Sequence, residues 1–184
     1  MTHRRLTLSG WLAMTSAVLT IPWFVLTFVL AGQGGVWPKV TMGVLLTAGT
    51  ALLVYLLVTF KRLLHENHSF HAADAVISLL VKVNLVSAAV SLVGLAVPQL
   101  ESALGIVGII LAVAGGIVQL MFGVKLLRLP GNLGGLHKPY CYLNIVTGLC
   151  LATVVLLPIG MVTSAVADVM LGTIFFHAAG RAGA

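Results

Sequence analysis

Acidic side chains are the scarcest feature of this sequence: Asp and Glu together number 4 in 184 residues, and all charged types make up only 8%. Soluble domains carry about a quarter charged residues. So few charges cannot cover the surface of a water-soluble globule, and that class is excluded. Cysteine is as rare. Cys141 and Cys150 lie inside one apolar segment with no Cys-x-x-Cys pair, which excludes a disulfide scaffold and the redox chemistry of paired thiols. Both read as small buried hydrophobes.

The constellations that carry catalysis are missing as well. There are no paired carboxylates, no Ser-His-Asp set at matching depth and no phosphate-cradling motif. The loop "PGNLGGLHKP" is glycine-rich, but it precedes an apolar span and does not join a strand to a helix. Of the 6 histidines only His177 falls within a span, near its end, which leaves a b-type haem without axial ligands. The chain is expected to be no enzyme and to hold no cofactor. Its formal net charge of +6 follows the membrane topology and does not signal nucleic acid.

What the chain does have is hydrocarbon, 60% of its residues, arranged in blocks of about 20, the length that crosses a bilayer core roughly 30 Å thick. The blocks fall near 8–31, 37–61, 75–97, 103–125, 140–157 and 160–178. The breaks between them are turn-forming or polar: "AGQGGVWP", "HENHSFHAAD", "VPQLES", "RLPGNLGGLHKP" and "LPIG". The first block exceeds a signal-peptide core of about 7–15 residues and reads as a retained span. Only helices or closed barrels satisfy a backbone in lipid, and these blocks are too long for barrel strands. The fold class is an all-α integral membrane protein, a single six-helix domain over 1–184 built as three helical hairpins. Arg4, Arg5, Lys61, Arg62, Lys125, Arg128, Lys138 and Arg181 fall on one side, against Lys39 alone on the other. The positive-inside rule then makes both termini cytoplasmic, in a bacterial inner (plasma) membrane.

Two segments repeat. "VNLVSAAVSLVGLAVP" (83–98) and "LNIVTGLCLATVVLLP" (143–158) align at an offset of 60, matching Asn84 with Asn144, Ser87 with Thr147 and Pro98 with Pro158. Repeated hairpins are common in transporters, with the site at the repeat interface. Prolines on odd helices suit the mitochondrial carriers, but their signature needs an acidic and then a basic residue after the proline. "QLES" follows Pro98 and "IGMV" follows Pro158, so the pattern fails.

Asp168, in "SAVADVMLG", is the candidate centre. It lies roughly 13–15 Å from either end of its span, where a carboxylate costs above about 2.5 kcal/mol on insertion scales. It must therefore face the bundle interior and find a partner or a proton. Lys82 is the cation available, if it does not snorkel to the interface. Asn84, Asn144 and Gln119 are alternative hydrogen-bond partners, as a transport path or as interhelical glue. A separate cluster, His65, His68 and His71 in "HENHSFH", has ligand chemistry for a transition metal. On one helix, however, the outer two would diverge, and Asp74 beside them suits the start of a helix. The leading expectation is a carrier or channel that moves a proton, an ion or a small polar solute. The alternatives are an accessory or anchor subunit of a larger complex and a cytoplasmic-face metal or pH sensor. The lipid bilayer is the certain partner, with a homo-oligomer or a membrane complex as further options.

Overall fold

A backbone in lipid must bond to itself, and the apolar blocks do so as helices. The computed structural model describes residues 2–31, 35–68, 71–129, 135–153 and 155–182. They form α1 (His3–Ala31), α2 (Val36–His68), α3 (Asp74–Ala96), α4 (Glu101–Leu126), α5 (His137–Thr153) and α6 (Leu157–Ala182), with one 3-10 turn at Pro98–Leu100. Five of these, all but α5, are long and apolar enough to cross a membrane. Large apolar side chains such as Val18, Val25, Val44, Ile106, Ile110 and Val162 are turned outward, more than water would tolerate. The protein is a helical membrane protein.

The boundaries of α3 and α4 agree with the apolar blocks to within two residues. Asp74 opens α3, where its charge complements the helix dipole. Pro98 closes it by forcing Val97 out of the helical region, to φ −123° and ψ 88°. Elsewhere the structure departs from the sequence reading. α2 runs on to His68, because "KRLLHENH" is polar yet contains no Gly or Pro to stop a helix. The turn expected over "LPIG" lies before it, and Pro158 is the second residue of α6. A first-turn proline costs nothing there, since its missing N–H would have no intrahelical partner. The fifth span, expected over 140–157, is instead the 17-residue α5, only about 25 Å long.

Each helix packs against the one before and the one after it, and α1 packs against α6. The six therefore close into a ring. Glycine draws two of its seams tight. A Cβ on Gly116 would stand 2.5 Å from the Ala152 nitrogen, and one on Gly148 would stand 2.5 Å from the Leu120 nitrogen, so α4 and α5 meet backbone to backbone. At the α1–α6 seam a Cβ on Gly172 would lie 3.0 Å from the Gly10 carbonyl oxygen.

The buried core is gathered at the end of the ring that carries most of the Lys and Arg residues. There Phe60 of α2 meets Phe122, Tyr140 and Phe175 edge-on, with ring centroids 6.2, 5.7 and 6.4 Å away. Leu63, Leu64, Ile77 and Leu126 fill the space around them. This apolar plug occupies one end of the ring and leaves its middle less filled.

Replacing Gly116 or Gly148 with Leu should destabilise the protein by at least about 1–3 kcal/mol, the range for overpacking. Gly105→Leu should have little effect, because a Cβ there meets nothing within 4 Å. Thermal unfolding in detergent compares the three.

Candidate functional site

Next to the plug, the centre of the ring holds a cavity of about 300 Å³ to which every helix contributes: Ser16, Leu56, Asn84, Gln119, Asn144 and Asp168, from α1 to α6 in order. Ser87, Thr147 and Ser164 add hydroxyls, whereas α2 supplies only leucines, Leu53, Leu56 and Leu57. Among the described residues no Lys, Arg or His lines the cavity. The lining is mixed: polar groups from five helices are set among apolar side chains such as Leu80, Leu111, Leu151 and Leu171, and Asp168 is the one formally charged residue among those described.

Asp168 is half-buried near the middle of α6. The Ser16 hydroxyl donates to its Oδ2 at 2.9 Å and ties α6 to α1. The amides form a second set. Gln119 Nε2 donates to Asn144 Oδ1 at 2.9 Å, and Asn144 Nδ2 donates to the Tyr140 carbonyl at 2.8 Å. Asn84 Nδ2 likewise donates to the Leu80 carbonyl, four residues back, at 2.9 Å. The two repeat-related asparagines thus make the same local bond. Thr147 Oγ1 donates to Thr163 Oγ1 at 2.9 Å across α5 and α6. Among the described residues no fully buried side-chain nitrogen or oxygen lacks a partner, as the high cost of an unsatisfied group in hydrocarbon requires.

Asp168, Asn84, Asn144 and Gln119 therefore share one chamber. Lys82 does not join them. Its side chain is exposed, it is not part of the cavity wall, and no ion pair links it to Asp168. Two residues along a helix turn the side chain by about 200°, so with Asn84 facing the chamber Lys82 points outward. Ser16 took the place that the sequence left open for a partner. It lies 13 residues into α1 from His3, and Asp168 lies 14 residues before the end of α6 at Ala182. That equality of depth is a signal present in the sequence, though a lone Ser in an apolar run is a weak one.

The histidines also assemble differently from the single-helix expectation. α2 ends at His68, whose side chain lies outside the described residues, and α3, which starts at Asp74, packs against it. His71 consequently returns beside His65, with ring centroids 4.3 Å apart. Asp74 sits between them. His65 Nε2 is 2.6 and 2.8 Å from the two Asp74 oxygens, and His71 Nδ1 is 3.5 Å from Oδ2. Lys61 Nζ approaches the same carboxylate at 3.9 Å.

The chain matches no family model. No curated protein and no solved structure matches it either, so what the chamber does rests on its own chemistry.

Ser16→Ala should lower stability by about 0.6–1.7 kcal/mol, the span measured for hydrogen bonds between membrane helices. Lys82→Met should leave it within about 0.5 kcal/mol, as for other exposed positions. Unfolding free energies measured in bicelles separate the two. A larger loss for Lys82→Met would restore it as the partner of Asp168.

Proposed function

We propose that the protein is a small carrier or channel of a bacterial inner membrane that moves a proton, an ion or a small polar solute, with Asp168 as the protonatable centre. The observation that carries this reading is the chamber at the middle of the ring, bordered by polar groups from five helices and by one carboxylate. Ser16 with Asp168 and Gln119 with Asn144 do bond across helices as glue would; the volume they border is what favours a path.

The chemistry of the wall favours protons and cations over anions. One carboxylate shares the wall with amides, hydroxyls, Phe122 and Tyr140, and among the described residues no basic side chain lines it to receive an anion. A negative charge at this depth is costly, so Asp168 is neutralised by a proton or by a cation, and the two compete for one position. Exchange of one for the other preserves charge and gives coupling without further machinery. Asn84 and Asn144 present amides to whatever occupies the chamber. With three hairpins and both termini in the cytoplasm, the aromatic plug around Phe60 is the cytoplasmic gate. Among the described residues the wall offers one carboxylate, amides and hydroxyls, a set that suits passage of a proton or cation.

A second reading has one specific observation in its favour. Gly105 and Gly108 of α4 face open space, where an added Cβ would meet nothing within 4 Å, and Ile106, Ile109 and Ile110 beside them are exposed. Small residues with an apolar surround suit a further helix, from a second copy or from a larger complex that this chain would anchor.

Asp168→Asn tests the first reading. The amide keeps the size of the side chain and still accepts from Ser16, so folding should be retained. Proton flux into proteoliposomes, read with an internal pH dye under an imposed potential, should fall by at least about tenfold, the loss of one strong interaction. Flux unchanged by the substitution would remove Asp168 as the centre and leave the anchor reading in its place.

A further inference from the structure

Outside the chamber, the turn between α2 and α3 brings together three metal-ligating groups from two helices and the loop that joins them. We propose that His65, His71 and Asp74 form a binding site for a borderline divalent transition-metal ion, the class that includes Zn²⁺. This site shares no residue with the chamber and does not depend on the transport reading.

Geometry carries the proposal. One donor atom from each of the three residues lies within 4.8 Å of the others. A tetrahedral ion with bonds of about 2.0–2.2 Å holds its ligands roughly 3.4 Å apart, so closure needs shifts of about an ångström in three side chains. Their freedom allows it, since His71 is 68% exposed, His65 32% and Asp74 28%. Two imidazoles with one carboxylate are a donor set that suits zinc, nickel, copper or ferrous iron and disfavours magnesium and calcium. The exposure of His71 leaves the remaining coordination position to water.

Two charges bear on occupancy. Asp74 supplies the anion that a divalent ion needs. Lys61, 3.9 Å from the Asp74 carboxylate, opposes the ion, but its contact is long and its flexible stem can swing the ammonium away. The His65 Nε2–Asp74 contact at 2.6 Å already holds two donor atoms side by side, and an ion bound there takes the place of the proton they share. A bound ion would join the end of α2 to the start of α3.

The test uses the full chain without a polyhistidine tag, purified in detergent and titrated with ZnCl₂ against a fluorescent zinc indicator. One ion should bind per chain. His65→Ala and His71→Ala should each weaken binding by at least about tenfold, while His177→Ala, on α6, should bind as the wild type does. Cu²⁺ electron paramagnetic resonance gives an independent readout, with coupling to two nitrogens in the wild type and to one in either histidine variant. Circular dichroism checks that each variant keeps its helices, and exposed His71 is the substitution that folding tolerates best. Wild-type binding no tighter than about 1 mM, or variants that bind and couple as the wild type does, would overturn the site.

Discussion

Hydrocarbon offers no hydrogen bonds, and the arrangement of this protein follows from that constraint. A polar side chain within the spans can bond to its own helix or turn toward another. The hydroxyls of Thr7, Thr15, Thr20, Thr41, Thr47 and Thr50 take the first course, each bonded to the carbonyl four residues back. Ser16, Gln119, Asn144, Thr147 and Asp168 take the second, and their bonds cross the α1–α6, α4–α5 and α5–α6 seams. Two of those seams, α4–α5 and α1–α6, are also where glycines let backbones touch. Polar satisfaction and close packing therefore reinforce each other in closing the ring.

The ring is graded along its axis. One end is filled by the aromatic and aliphatic plug, and the middle opens into the chamber. Toward the Lys39 end, α2, α3 and α4 separate around a second cavity of about 390 Å³, lined among others by Met42, Leu46, Leu95 and Leu104. The packing thus loosens from the plug toward the Lys39 end.

Much of this was legible in the residues. Block length gave the helical membrane class, and Asp74 and Pro98 gave the ends of α3 because each acts locally on the helix terminus. The chamber was legible in part. Asp168, Asn84, Asn144 and Gln119 stand out as polar groups at depth, and lipid leaves them one direction to face. What the sequence hid was partnership across helices. Lys82 attracted attention by its charge, although its two-residue offset from Asn84 already turned it away. Ser16 escaped notice because a hydroxyl is cheap in a helix and carries no pattern. Asp74 was readable as a helix start but not as a neighbour of His65, since that contact depends on α2 continuing two turns beyond its apolar block.

The wall contributed by α2 has a mechanical consequence. Where the other five helices meet the chamber they present hydrogen-bonding groups, whereas α2 presents leucines alone. Its polar ties lie elsewhere, between Tyr55 and Ser9 at 3.4 Å and between His65 and Asp74. Displacing α2 across the chamber therefore breaks no hydrogen bond there and exchanges one hydrocarbon contact for another. Of the six staves in this barrel-like ring, α2 is the one held at the chamber by hydrocarbon contact, and it also carries Phe60 of the plug.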